Sequence, residues 1–202
     1  MQLEKCEGKM GNRAFEWYEI LKEGAQITQG DILINFPVVK PNNYDKFLEC
    51  YLKNDLDGFK INNRVECADY IVLTQACDLA REKPEMGNII LCRIYDAKEV
   101  GFGKNKLERI GKGEQPQFYL LNENMNFRCE YKEDGFDFHI VDFNEIEKIP
   151  KEIVINYAKS INSRLRLLPP YREHLAQAFA RYFMRIGLPS DIDREKLTKF
   201  KS

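Results

Sequence analysis

A short apolar segment of the chain runs into a polar turn that carries a thiol and a carboxylate. Residues 71–73 are apolar, and Cys77 and Asp78 follow shortly after them. A cysteine at a strand end can act as a nucleophile when a nearby base lowers the pKa of its thiol. His139 and His174 are the candidate bases. In the structural alternative, which we favour, Asp78 caps a short helical turn and Cys77 packs beneath it.

A second group of polar residues lies near the end of the chain. Arg164 and Arg166 alternate with leucines, so both side chains point away from the core if this segment is extended. On the helix that follows, polar residues recur at steps of three and four and form one stripe. We expect this cationic surface to bind an acidic protein, with nucleic acid as an alternative. In the structural alternative, the same arginines pair with carboxylates of their own chain. The predicted partner-binding residues are Arg164, Arg166, Arg172, His174, Arg181 and Arg185.

Composition limits the classes of function. The 202 residues carry a formal net charge of -1, so no overall basic field attracts nucleic acid. No apolar run reaches the roughly 18 residues that a membrane helix needs, and the N-terminus lacks the apolar core of a signal peptide. We therefore expect a cytoplasmic protein without a membrane partner. The six cysteines are scattered without a CxxC pair, which predicts neither a disulfide framework nor a metal site, and we expect no cofactor.

Helical periodicity is present at both ends of the chain and in one internal segment. It predicts helices at 13–23 with Asn12 as cap, at 43–54, at 152–161 and at 171–187. A single helical turn is expected at 79–83. The side chains expected to be buried on the second and last of the long helices are Phe47, Leu48, Tyr51, Leu52, Leu175, Phe179, Tyr182, Phe183 and Ile186.

Short strands fill the middle of the chain. Residues 70–73 are almost wholly apolar, which predicts a central strand covered on both faces. About six or seven short strands with few crossovers favour an α+β protein with a small, strongly bent antiparallel barrel over a doubly wound sheet. An open α+β sheet is the alternative. The predicted strands are 31–36, 59–66, 69–75, 88–95, 118–121, 126–132 and 136–143.

The order of these segments resembles the MazF/PemK-like family, which has a small SH3-like barrel. The likeness rests on Gly30-Asp31-Ile32, on the apolar strand that ends before Asp78, and on the strand at 88–95. We divide the chain into a barrel domain (1–149) with an N-terminal helix and a helical insertion (41–58), a C-terminal helical appendage (150–189) and a charged tail (190–202).

The resemblance also implies an activity, the cleavage of single-stranded RNA. Family toxins use an arginine near the start of the second strand, usually followed by proline, and a serine or threonine at the end of a later strand. Arg64, Thr74, Arg93 and His174 would have to serve as the nuclease residues, but no Arg-Pro pair occurs at 67–70. The later strand also ends without a serine or threonine.

This incomplete nuclease pattern leads us to expect a binding or regulatory protein without catalytic residues. Some proteins that resemble this family act in bacterial antiphage or stress systems, including a CRISPR-linked Lon protease pathway in which the MazF-like protein holds a sigma factor. We therefore expect a protein partner such as a sigma factor, a protease or an antitoxin. RNA binding, RNA cleavage and a homodimer remain alternatives.

Overall fold

The computed structural model describes residues 15–57, 59–80 and 87–184. It shows an α+β protein with one seven-stranded sheet, in the order β1-β7-β2-β3-β4-β6-β5. All of its strand pairs are antiparallel. The strands are β1 (Tyr18–Lys22), β2 (Asp31–Pro41), β3 (Asn63–Val72), β4 (Asn88–Asp96), β5 (Phe118–Leu121), β6 (His139–Pro150) and β7 (Ser163–Leu167). The helices are α1 (Tyr44–Leu52), α2 (Ala76–Leu79), α3 (Lys104–Gly111), α4 (Lys151–Ser160) and α5 (Tyr171–Phe183).

The sheet is not closed into a barrel. Within the described part of the chain, β1 and β5 are its two edges. The long side chains of Lys40 on β2 and Glu147 on β6 form an ion pair at 3.1 Å beside the ribbon, where β3 no longer pairs with β4. The antiparallel α+β class is confirmed, whereas the predicted barrel closure is not.

Each face of the sheet has its own apolar core. On one face, Val154 of α4 packs over Leu33, Tyr70 and Val72. On the other face, Leu175 of α5 belongs to a larger cluster with residues from all seven strands and from the segment that precedes β6. Tyr70, Ile71 and Val72 are all 0% exposed, which confirms the prediction of a central strand covered on both faces.

The largest error in the sequence prediction is the first element. A helix was expected to run to Glu23, but Tyr18–Lys22 is an edge strand paired with β7. The residues that precede Phe15, including the proposed cap Asn12, lie outside the described part of the chain. Tyr18 and Leu21 are buried at a spacing of three, which imitates helical periodicity. Pairing with a strand from the far end of the chain therefore overrides the local pattern.

A bulge changes the direction of the side chains on β2. Asn35 has a positive φ of 55°, and the register with β3 shifts between Leu33 and Phe36. Asp69 stabilises the bulge, since its Oδ1 accepts a hydrogen bond from the backbone N–H of Asn35 at 2.8 Å. Phe36 therefore packs on the face opposite to Ile32, whereas the strict alternation of a strand without a bulge would place both on one face.

The strand continues beyond the bulge to Pro41, although prolines were expected to end it. β7 pairs with β2 only at Asp31 and Ile32, and β4 pairs with β3 only from Asp69 onward. The distal parts of β2 and β3 therefore form a two-stranded ribbon. Because neither edge of this ribbon pairs with another described strand, proline is tolerated in it.

Three further predictions need correction. The segments 59–66 and 69–75 form one strand, β3, instead of two. Residues 126–132 form turns with isolated bridges, and β6 begins only at His139. Helix α1 lies where expected but buries none of its residues, and Phe183 at the end of α5 is also exposed.

The strand β7, which the sequence did not predict, is joined to β2 by a buried ion cluster. Arg164 donates from Nε to Asp31 at 2.9 Å, and Arg166 donates from Nε to the other carboxylate oxygen at 2.5 Å. Arg164 also donates to the carbonyls of Ala25 and Gln26 at 2.6 Å and 2.9 Å. Asp31 is 0% exposed and Arg164 is 1% exposed, so the two arginines lie on the face opposite the leucines, as alternation predicts, but pair with a buried carboxylate of their own chain instead of forming an open surface.

We predict that Asp31→Asn lowers the free energy of unfolding by about 3–5 kcal/mol, because two guanidinium groups lose their buried counter-charge. Urea denaturation followed by circular dichroism measures the change. The matched control is Glu173→Gln, which removes the carboxylate partner of Arg172 at an exposed site. The control should change the free energy by less than about 1 kcal/mol. Equal effects of the two substitutions would contradict a structural role for Asp31.

Candidate functional site

The remaining predicted partner-binding residues lie on or next to α5. Arg172 donates to Glu173 at 2.7 Å and is therefore neutralised locally. Arg181 donates only to the neutral amide oxygen of Gln177, at 3.2 Å. His174 is exposed, and no ion pair involves it in the described part of the chain. Arg185 lies outside the described residues. Of the predicted surface, His174 and Arg181 thus lack a carboxylate partner among the residues described.

These two residues border a cleft, which we call the α5 cleft. It has a volume of about 480 Å³ and lies between α3, β5 and α5. The indole ring of Trp17 stacks on the ring of Tyr171 with centroids 3.8 Å apart and planes inclined by 10°. Tyr119 on β5 also lines the cleft, and burial raises the pKa of its hydroxyl to about 12, which keeps it protonated. Its hydroxyl donates to the carbonyl of Tyr171 at 3.4 Å.

Sequence reasoning missed this cleft because its walls come from distant segments. Trp17, Lys112 and Tyr171 all line it but belong to the N-terminal, middle and C-terminal parts of the chain. The available signals were the single tryptophan of the chain, which could anchor an interface, and a lysine flanked by two glycines. Neither signal indicates that Trp17 and Lys112 line the same cleft.

Of the candidate nuclease residues, Arg64 and Arg93 both lie near Glu66, at 3.9 Å and 2.5 Å, whereas Thr74 does not join them. Thr74 follows the end of β3, and Arg64 lies at the start of that strand, so at about 3.3 Å per residue the two are separated by roughly 30 Å. Thr74 is 8% exposed, and its hydroxyl accepts a hydrogen bond from the N–H of Ile90 at 2.7 Å. It therefore stabilises the end of the β3–β4 pair.

Two carboxylates hold the side chain of Arg93 in place. Its guanidinium donates to Glu66 at 2.5 Å and to Glu145 at 3.3 Å, and it lies 4.8 Å from the ring centre of Tyr95. The hydrogen bond from Arg93 lowers the pKa of the Glu66 carboxyl. An arginine held by two carboxylates is poorly placed to stabilise the charge of a phosphorane-like transition state.

Cys77 and Asp78 lie inside the short helix α2, whose N-cap is Gln75, so the prediction that Asp78 caps this turn while Cys77 packs beneath it is wrong. Helix α2 begins at Ala76, directly after β3 and Thr74. The thiol of Cys77 is exposed and approaches only the side-chain oxygen of Gln75, at 3.6 Å. Neither histidine contacts Cys77 in the described structure, so the base that a cysteine nucleophile needs is missing there.

A polar cluster at the splayed ends of β3 and β4 surrounds His139. The ring of His139 is 0% exposed and stacks on Phe136, with centroids 3.9 Å apart. Its Nδ1 donates to the carbonyl of Asp137 at 2.7 Å, so Nε2 can accept from Lys132 at 3.3 Å. Lys132 also pairs with Asp69 at 2.9 Å. Burial is the main reason that the pKa of His139 is lowered, and the charge of Lys132 adds to this effect.

The end of the β2–β3 ribbon carries an exposed apolar surface. We define the arm as the described residues 37–57 and 59–66, which comprise the ribbon, α1 and the loop between them. Half of the exposed large apolar side chains of the described chain lie on this arm, and they are 42% to 72% exposed. On α1 four of them follow the spacing of one helix face. The apolar side chains of the arm are Val39, Tyr44, Leu48, Tyr51, Leu52, Leu56, Ile61 and Val65.

Among the residues that the structure describes, no group of three or more His, Cys, Asp or Glu side chains could hold a metal ion. No helix in the described ranges is long and apolar enough to cross a membrane. Comparison of the sequence with protein-family models gives no match, and comparison with curated proteins gives no significant match.

We predict that protonation of His139 destabilises the protein below about pH 6.5, the usual pKa of an unfolded histidine. Because its folded-state pKa is lowered, the unfolded chain binds more protons in this range, and stability falls as pH falls. The groups that face or flank the ring are Lys132, Asp69, Asp96 and Asp137.

Urea denaturation at about pH 7 and about pH 5 measures this effect as a slope of up to about 1.4 kcal/mol per pH unit. In His139→Gln, the slope over the same interval should be smaller, whatever the stability of the variant at neutral pH. The carboxyls whose pKa values are lowered titrate below about pH 4.5 and lie outside this interval. An unchanged slope in the variant would contradict the assignment.

Proposed function

We propose that the protein is a non-catalytic binding module and that a partner protein docks on the apolar face of the arm. The carrying observation is the concentration of exposed apolar side chains on α1 and its ribbon. Exposed apolar patches on soluble proteins commonly mark interaction surfaces. The distance of Thr74 from Arg64, and the pairing of Arg64 and Arg93 with the carboxylate of Glu66, support a role that does not involve RNA cleavage.

The chemistry of the arm favours a protein partner. On α1, Tyr44, Leu48, Tyr51 and Leu52 recur at steps of three, four and one, so they present a single apolar stripe. On the ribbon, Val39 and Val65 are directly opposite each other on adjacent strands. An apolar helix face of this kind fits a hydrophobic groove on another protein.

Charge argues against a symmetric pair of copies through α1. Asp45 and Glu49 are one turn apart on the same flank of the apolar stripe. If two copies of α1 packed antiparallel about a twofold axis, these acidic flanks would face each other and repel. A partner with basic residues beside its groove would complement them. The partner surface therefore differs from the arginine-bearing segment that the sequence suggested.

The biological setting stays a prediction. A sigma factor, a protease or an antitoxin is the kind of partner expected from the resemblance to the MazF/PemK-like family, as part of an antiphage or stress system. The antiparallel arrangement of the sheet is compatible with a divergent relative of an SH3-like barrel. Membership of that family and a cytoplasmic location likewise stay predictions.

We predict that Leu48→Ser with Leu52→Ser weakens partner binding at least tenfold, because two apolar side chains lose their burial. The partner is isolated from the native host by affinity purification, identified by mass spectrometry and titrated against the pure protein. Lys46→Ser with Lys53→Ser, on the opposite side of α1, is the matched control and should bind normally. Raising the salt to about 1 M, which shortens the Debye length to about 3 Å, should leave an apolar interface intact.

Two results would contradict the proposed function. If binding is lost at high salt and survives the double leucine substitution, the partner uses a charged surface instead of the arm. If the wild-type protein forms a dimer that the same substitution dissociates, the arm serves self-association.

We also predict that the purified protein does not cleave single-stranded RNA. Fluorescent oligonucleotides that together contain all dinucleotide steps provide the measurement. Cleavage that disappears in both Arg93→Gln and Arg64→Gln would establish the nuclease alternative.

A further inference from the structure

We infer that the α5 cleft is a binding site for a nucleoside phosphate of mononucleotide size. This inference is independent of the arm, because the cleft is built from α3, β5 and α5 and shares none of its lining residues with the arm. Its volume of about 480 Å³ lies within the range of about 300–1,000 Å³ that is typical of small-ligand sites.

The aromatic wall suits a planar ring. Trp17 and Tyr171 are already stacked at 3.8 Å, and both border the cleft. Tyr171 is held in place by its own hydroxyl, which donates to the carbonyl of Phe15 at 3.5 Å, and by the hydroxyl of Tyr119, which donates to its carbonyl. A purine or pyrimidine placed on this wall would extend an existing stack without a change of rotamer.

The rest of the lining suits an anion. Lys112, His174 and Arg181 border the cleft, and none of its lining residues is a carboxylate. Arg181 and Lys112 form no ion pair with any other residue that the structure describes, in contrast to Arg93 and Arg172. Guanidinium groups without a carboxylate partner favour phosphate, which they bind through charge-assisted hydrogen bonds.

Base stacking and phosphate binding together define the ligand class. An aromatic ligand without charge would leave the cations unused, and inorganic phosphate would leave the aromatic wall uncovered. A nucleoside phosphate can stack its base on the aromatic wall and place its phosphate beside the cationic side chains. The cleft is much larger than one phosphate group, which also favours the combined ligand.

Isothermal titration of the full chain with adenosine monophosphate, adenosine and inorganic phosphate tests this inference. We expect the dissociation constant of adenosine monophosphate to be at least tenfold lower than those of the two fragments. Guanosine, cytidine and uridine monophosphates are titrated in parallel, because the lining does not specify one base. If none of the four monophosphates binds more tightly than inorganic phosphate, the inference is overturned.

Substitutions locate the binding. Arg181→Gln and Lys112→Gln should each weaken monophosphate binding about tenfold while leaving adenosine binding unchanged. Tyr171→Leu should weaken the monophosphate and adenosine alike. Arg109→Gln is the matched control, because this arginine of α3 pairs with Glu114 and does not line the cleft. Equal effects of Arg109→Gln and Arg181→Gln would overturn the assignment to the cleft.

A further titration separates a free nucleotide from a nucleotide within a strand. A short single-stranded oligonucleotide contains the same chemistry, and we expect it to bind no more tightly than the monophosphate. Oligonucleotide binding more than tenfold tighter than that of any monophosphate would show that the surface follows a strand instead of holding one nucleotide, and would overturn the inferred ligand size.

Discussion

The carboxylate of Asp31 holds two guanidinium groups that lie at least 133 positions later in the chain. This cluster places β7 between β1 and β2, and Arg164 also fixes the turn that leads into β2. Replacing a buried ion pair by apolar residues is often neutral for stability, and we infer that the Asp31 cluster acts mainly by specifying one pairing of strands. Because β7 leads directly into α5, the position of the α5 cleft follows from this pairing.

Local pattern predicted the elements whose burial is set by their own neighbours in sequence. The apolar runs at β3 and β4 and the periodicity of α4 and α5 all correspond to observed elements. The pattern failed where a distant partner decides the outcome. Tyr18–Lys22 is a strand because it pairs with the edge of β7. Phe36 lies on the other face of the sheet because of the bulge at Asn35, whose backbone N–H donates a hydrogen bond to Asp69.

The candidate sites were less predictable than the fold, for the same physical reason. Alternation correctly placed Arg164 and Arg166 on the face opposite the leucines of β7, but it could not show that Asp31 lies on that face. The α5 cleft depends on the contact between Trp17 and Tyr171, which no spacing within either segment implies. The apolar face of α1 was visible in the sequence, yet periodicity alone cannot tell a buried face from an exposed one.

The role of each cationic side chain depends on whether a carboxylate pairs with it. The formal net charge of -1 does not show which side chains are paired. The guanidinium groups of Arg93, Arg164 and Arg166 donate hydrogen bonds to carboxylates on neighbouring strands. Arg181 meets only a neutral amide and retains donors for a ligand. The arm differs in character, since it carries eight exposed large apolar side chains, and Asp45 and Glu49 flank the apolar stripe of α1. The two sites can be told apart by their response to salt, because salt weakens phosphate binding and leaves apolar docking intact.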